Sequence, residues 1–229
     1  PEVAPLSPDN PIIIGNGALT GTPVPSANRA IFTYRSPLTN LHQYSALGGL
    51  WPTELKHAGY DTVVISGCSP APVYLWIHDD KVELRDASHL WGKNTYETKK
   101  LIRGELRHND AQVITIGLAG ERKVNGATIE DGVGSSVSRG GIGALMGEKN
   151  LKAIAVRGNN DIYIARPDRL NALCEYILGR ASEYRGWTKQ LAFQLNSSNL
   201  NTGFFGNLTE TYDEVDYDFQ DVVDYAAED

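Results

Sequence analysis

The stretch from Gly134 to Ala153, GSSVSRGGIGALMGEKNLKA, constrains this chain more than any other. It holds five glycines, three serines and one arginine ahead of a β-like run from Leu151 to Arg157. Nothing else in the sequence is so poor in side chain. Glycine lets backbone N–H groups come close to a bound group and accepts positive φ, so such a loop can wrap an anion with main-chain donors. Arg139 adds a planar fork of charged donors. The competing reading is a glycine-rich surface turn with one solvated arginine.

A second stretch echoes the first. Gly15 to Gly21 (GNGALTG) and Gly141 to Gly147 (GIGALMG) both read G-x-G-A-L-x-G, which suggests internal duplication. No Asp or Glu occurs from Asn10 through Thr53, where Arg29 and Arg35 lie, and none from Gly132 through Gly147. Two acid-free, glycine-rich segments that each carry arginine are what an anion site built from two loops needs.

The 229 residues suffice for a full core, and 41% hydrophobic with 21% charged is ordinary globular composition. No apolar run nears the roughly 20 residues of a membrane span, so a cytoplasmic protein is expected. The chain starts at Pro1 and its one methionine is Met146, so a longer reading frame is expected around it. The net charge of −7 is concentrated at the end: Glu210 to Asp229 holds nine acids and no Lys or Arg. That end reads as a solvated tail, or as a segment that packs on something else. The remaining body is near neutral and has no basic stripe interleaved with aromatics, which argues against nucleic acid as partner. Cys68 and Cys174 have no cysteine neighbour at ligand spacing, so this chain alone holds no iron-sulfur cluster or zinc ion, and no metal ligand is assigned.

Strands are expected at Ile12 to Ile14, Ala30 to Tyr34, Thr62 to Ser66, Gln112 to Gly117, Leu151 to Arg157 and Asp161 to Ala165. Val73 to His78 and Lys81 to Arg85 form a hairpin across Asp79-Asp80. Pro52 to Ala58 carries a helical turn or two, and Asn94 with Glu97 makes a capping box for a helix through His108. Pro167 opens a helix whose Leu170, Leu173, Cys174, Ile177, Leu178 and Ala181 share one stripe, read as core packing. Beyond Arg185 the pattern fades into a linker or extension. Ile12-Ile13-Ile14-Gly15-x-Gly17 also resembles the strand that enters a dinucleotide phosphate loop. Pro23 and Pro25 forbid the helix such a loop needs, and the first acid after Asp9 is Glu54, too late to hold a ribose.

In chain order stand Pro5-Leu6-Ser7-Pro8-Asp9-Asn10, Leu19-Thr20-Gly21-Thr22, Ser36-Pro37-Leu38-Thr39, Ala58-Gly59-Tyr60-Asp61, Arg85-Asp86-Ala87-Ser88-His89 with Trp91-Gly92, and Arg139-Gly140-Gly141 through Lys152-Ala153-Ile154. With these motifs the chain resembles the N-terminal domain of the tungsten-dependent aldehyde ferredoxin oxidoreductase family. The resemblance implies an α+β, β-rich domain, here residues 1–165, that forms the base for a tungsten (or molybdenum) bis-pyranopterin. Residues 166–229 would be a helix and acidic extension leading toward later domains.

The resemblance also implies the contacts. The family's arginine after the T-G-T motif matches Arg29, preceded by Asn28; the next contact loop matches Ala46 and Gly48; the third matches Ser135, Ser136, Ser138 and Arg139. Where aldehyde-oxidising members have Gly-Gly-Arg, Asn and an R-A-A-G-R-like segment, this chain has Ala27-Asn28-Arg29, Ala46 and Ser135-Ser136-Val137-Ser138-Arg139. Those forms look more like the catalytic subunit of tungsten-dependent benzoyl-CoA reductase. Two activities follow as expectations: aldehyde oxidation with ferredoxin or another low-potential carrier, or benzoyl-CoA reduction. An anaerobic enzyme in a homo-oligomer or complex is implied, with its iron-sulfur cluster and catalytic residues on later domains. A non-catalytic remnant and a dinucleotide-binding module are the alternatives of another class.

Overall fold

The computed structural model describes residues 3–131 and 134–183. The expected acidic tail and the linker beyond Arg185 lie outside them. By internal packing the chain divides into a unit Pro1–Ile164 and a second, Ala165–Asp229.

The first unit holds two sheets. Strands β1 (Ile12–Asn16), β2 (Ala30–Arg35), β3 (His42–Leu47) and β4 (Thr62–Ile65) form an antiparallel sheet in the order β3-β2-β1-β4. Strands β5 (Val73–His78), β6 (Lys81–Asp86), β7 (Gln112–Thr115), β8 (Ile129–Glu130), β9 (Ser136–Val137) and β10 (Leu151–Arg157) form a mixed sheet in the order β6-β5-β10-β7-β8-β9. The expected hairpin is present: β5 and β6 pair antiparallel from Val73↔Asp86 to His78↔Lys81, and Asp79 takes the left-handed φ of 53° in the turn.

Successive strand residues point to opposite faces, which explains the two cores. On β5 and β10, Leu75, Ile77, Ile154 and Val156 join Ile12, Ile14, Phe32 and Leu47 of the first sheet in one cluster, with helix α1 (Trp51–His57) and helix α4 (Ile142–Glu148). Their neighbours Tyr74, Trp76, Ala153 and Ala155 form the second cluster, under helix α2 (Thr95–Leu106), which buries Ile102 and Leu106. Strands apolar on both faces are the central strands of a doubly covered sheet. The α2 capping box is formed, with Asn94 accepting from the Glu97 N–H at 2.8 Å and Glu97 receiving the Asn94 N–H.

Three expectations change in this unit. Gly140 to Gly147 is not an open loop, because Ile142–Glu148 is a helix in which Ile142, Ala144, Leu145 and Met146 are fully buried. It packs against the short helix α3 (Leu118–Glu121), where a Cβ on Gly147 would fall 1.9 Å from the Gly120 carbonyl oxygen. The echoed segments therefore do not repeat structurally: Gly15 to Gly21 is a strand end followed by turns, whereas Gly141 to Gly147 caps and forms a helix. Asp161 to Ala165 forms no strand. There the chain is drawn off the sheet, as the Asn159 N–H donates to Asp79 Oδ1 at 2.7 Å and the Asn160 carbonyl meets His57 Nδ1 at 2.8 Å.

The second unit contributes helix α5 (Pro167–Glu183). Cys174 is buried, but Leu173, Ile177 and Leu178 of its stripe are 50, 43 and 56% exposed. Periodicity decides which residues share a face, and not what covers it. Among the described residues no helix is long and apolar enough to cross a membrane.

Candidate functional site

The register of the first sheet assembles the site. Ala30 and Leu47 pair and are fully buried, so the outward face carries Ile31 and its partner Ala46. One step past the Ala30↔Leu47 pair come Arg29 and Gly48, which share that face. Gly15 pairs with Ile31 and faces outward too, and Gly17 follows one step past the Asn16↔Ala30 pair. Arg29, Ala46 and Gly48, far apart in sequence, thus meet with Gly15 and Gly17 on one exposed surface.

This surface is nearly bare of side chain at one end. A Cβ on Gly15 would meet nothing within 4 Å, one on Gly17 only Thr20 Oγ1 at 3.5 Å, and one on Gly48 only Ser135 Oγ at 3.7 Å and Arg29 Nη1 at 3.9 Å. These glycines leave the backbone open where a flat ring system or an anion could touch it. Further along the same face, Ile13, Ile31, Tyr44 and Val64 are 37, 39, 58 and 60% exposed. A sheet face this apolar is built to be covered.

Local bonds fix the arginine. Buried Thr20 directs its hydroxyl toward the carbonyls of Ala27 at 3.1 Å and of Arg29 at 3.3 Å. Asn28 folds back into the same loop, its Oδ1 accepting the Gly21 N–H at 3.0 Å. Asn28 therefore shapes the loop that presents Arg29, whose side chain is exposed.

Of the third group, Ser135 reaches the site from the other sheet. Ser136 pairs with Glu130 in β9, Ser135 precedes it beside Gly48, and Ser138 and Arg139 are exposed. The backbone behind them is pinned to β2 and β3: Tyr34 donates its hydroxyl to the Arg139 carbonyl, Ser36 donates to the Gly140 carbonyl at 2.7 Å, and the Arg139 N–H points to Ser45 Oγ at 3.5 Å. Burial pushes the Tyr34 pKa up to about 12, so the hydroxyl stays a donor at any ordinary pH.

The sequence reading set Gly15 and Gly17 in an acid-free anion loop without assigning them contacts beside Arg29, and it missed Asp131. The G-x-G spacing after an apolar run was the available signal for the glycines, but only strand register puts them beside Arg29. Asp131 adds a carboxylate just outside the acid-free stretch, and its Oδ2 would lie 3.3 Å from a Cβ on Gly49. No helix follows Gly21 within the turns that lead to Arg29, so the dinucleotide geometry is absent from this segment.

An open, glycine-floored face with exposed Arg29 at its rim fits a planar, phosphate-bearing cofactor; the Arg139 backbone is held by Tyr34 and Ser45, which belong to the opposite, buried face of the sheet. The sequence model of the family described as "Aldehyde ferredoxin oxidoreductase, N-terminal domain" matches residues 1–158, well over half of the chain. The chain belongs to this family. A tungsten-containing aldehyde ferredoxin oxidoreductase of Pyrococcus furiosus is 46% identical over 165 residues, covering 72% of this chain and 27% of that protein. The WOR-like subunit of an aliphatic sulfonate oxidoreductase of the same organism is 36% identical over 173 residues, covering 70% and 27%. Among solved structures, the active-site complex BamBC of benzoyl-coenzyme A reductase with 1,5-dienoyl-CoA matches with a TM-score of 0.77 and 49% identity, over 80% of this chain and 28% of that one. The chain thus spans little more than a quarter of the length of each of these proteins.

Proposed function

We propose that the Pro1–Ile164 unit is the platform for a tungsten (or molybdenum) bis-pyranopterin in an oxidoreductase that oxidises aldehydes and passes electrons to ferredoxin or another low-potential carrier. One observation carries the reading: strand register gathers Arg29, Ala46 and Gly48, with Gly15 and Gly17, on one open face, with Ser135 at its edge. Its support among relatives is the tungsten-containing aldehyde enzyme that is 46% identical. The bound group would supply the metal and the redox step.

This chain's residues bind and orient. Gly15, Gly17 and Gly48 let the backbone approach a ring closely, and Ile31 and Ala46 give it an apolar bed. Arg29 and Arg139 donate charge-assisted hydrogen bonds to phosphate oxygens, while Ser138 and the Ser135 hydroxyl add neutral ones. Tyr34 and Ser45 hold the Arg139 backbone, so that only its side chain has to be ordered on binding. The remaining domains, with the iron-sulfur cluster, close the site from the other side, and the exposed stripe of α5 is a surface for them. A cytoplasmic homo-oligomer or complex completes the reading.

A second reading, the catalytic subunit of a benzoyl-CoA-reductase-type enzyme, rests on the 49% identity to the BamBC complex and on the small residues at Ala46 and Ser135. Both readings share the platform. Its test is the tungsten, molybdenum and pterin content of the complete enzyme purified with Arg29→Ala or Arg139→Ala. Loss of a charge-assisted pair of about 1.5 to 3 kcal/mol lowers occupancy by roughly tenfold or more under limiting cofactor. Wild-type occupancy in both variants, or a wild-type enzyme that carries neither metal nor pterin, would leave a non-catalytic remnant as the better reading.

A further inference from the structure

Strands β8 and β9 pair at Ile129↔Val137 and Glu130↔Ser136, so the next pair in register is Asp131 with Ser135. In an antiparallel ladder, residues at a hydrogen-bonded pair exchange two N–H···O bonds. Here one is regular, the Asp131 N–H donating to the Ser135 carbonyl at 3.0 Å. For the other, the Ser135 N–H donates to the Asp131 carboxylate, Oδ1, at 3.0 Å. The Asp131 carbonyl instead receives the buried ammonium of Lys99, from helix α2, at 2.5 Å. A side chain has replaced a backbone acceptor, and a lysine occupies the acceptor so released.

The exchange has a geometric result. Held by the carboxylate, Ser135 places its hydroxyl beside Gly48 and Gly49, and Asp131 Oδ2 lies beside Gly49 as well. It also has an electrostatic one. A carboxylate next to an anion site would repel the ligand, but the Lys99 ammonium, held on the Asp131 carbonyl, interacts favourably with its charge. Burial and neighbouring Arg103 push the Lys99 pKa down, and Asp131 pushes it back up.

We infer that Asp131 is a positioning residue for the cofactor site: through the Ser135 N–H it sets the contact edge formed by Ser135 against Gly48, with Lys99 offsetting its charge. This rests on the proposed platform reading. It concerns geometry, so an acceptor of the same shape and no charge must serve. Asp131→Asn keeps an Oδ1 acceptor at that place. Asp131→Ala removes it, and Asp131→Glu keeps the charge but carries it one methylene too far.

The test uses the complete enzyme with two readouts, amide hydrogen exchange over residues 131–139 and tungsten and pterin per chain. Asp131→Asn should match wild type within about twofold in both, whereas Asp131→Ala and Asp131→Glu should exchange about tenfold faster and lose about fivefold or more of the cofactor. If Asp131→Ala fails to fold, the Asn and Glu variants alone decide. Glu loading like wild type while Asn does not would overturn the inference in favour of charge, and so would all variants loading equally. A loaded wild type with an equally loaded Asp131→Ala sinks this inference and leaves the platform standing; an unloaded wild type sinks both.

Discussion

Gly141 and Gly143 hold the same places as Gly15 and Gly17 in the echoed motif, yet the two pairs are glycine for opposite reasons. A Cβ on Gly141, which also has φ +77°, would lie 1.8 Å from the Asn125 carbonyl oxygen, and one on Gly143 would lie 2.5 Å from that of Thr128. These glycines are required because protein backbone fills the space. At Gly15, Gly17 and Gly48 nothing of the protein comes closer than 3.5 Å. There glycine keeps a space open. A glycine-rich motif therefore points to a ligand only where its missing side chains leave a void, and in this fold the more glycine-dense segment is the packed one.

The sharpest way to break that contrast is to add one methyl group on each side. Gly147→Ala or Gly141→Ala should destabilise the protein by about 3 kcal/mol or more, since backbone must move to admit the Cβ. Gly48→Ala should cost under about 1 kcal/mol in the same denaturant titration and show its effect in metal and pterin content instead. Equal loss of stability on both sides would end the distinction. A Gly48→Ala enzyme that folds and loads as wild type would show that the open face is not the contact surface.

A smaller effect separates the two activities on the open side. Ala46 sits on the outward face opposite Ile31, where a larger polar side chain has room, so Ala46→Asn should leave the fold intact. In a benzoyl-CoA-reductase-type enzyme the added amide must find a partner or weaken the loaded state by about 1 to 3 kcal/mol. In an aldehyde oxidase it should be neutral or helpful. Turnover of the complete variant with an aldehyde and with an aromatic thioester reads this out, and aldehyde oxidation that survives while the thioester is never reduced rejects the arene reading.

The same contrast shows where sequence is legible. The β5–β6 hairpin, the Asn94 capping box and the doubly apolar β10 follow from local pattern, and all are present. Helix α4 was hidden because glycine is a poor helix former; its Ile142, Leu145 and Met146 do stand at helical spacing, and burial rather than propensity stabilises it. Strand β3 was hidden because only Ser45 and Leu47 of its six residues are buried. Arg29 and Arg139 could be named from the acid-free segments and the family motifs. That Arg29 shares a face with Gly15 and Gly17 depends on pairing across strands, which no local pattern encodes.

The smallest expected effect concerns the acid beside the contact edge. Half-buried Glu130 accepts from the Thr128 hydroxyl at 2.6 Å and lies next to Asp131, and its pKa is raised, first by burial and also by the Asp131 charge, against the Thr128 bond. A carboxyl whose folded pKa is raised penalises folding when charged. The penalty is complete above the folded pKa and disappears as pH falls below the unfolded value, near the ordinary glutamate range of about 4.3. Glu130→Gln keeps the acceptor for Thr128 and removes the charge, so it should stabilise the protein at neutral pH by under about 1 kcal/mol, screened as the site is half in water. The gain should shrink to nothing as the pH is lowered, because wild-type Glu130 is then neutral as well. Thermal unfolding of both proteins across that range decides it: a gain that does not change with pH would mean that packing, not charge, limits stability at this edge, and a loss at neutral pH would mean that the Glu130 charge is used by the fold.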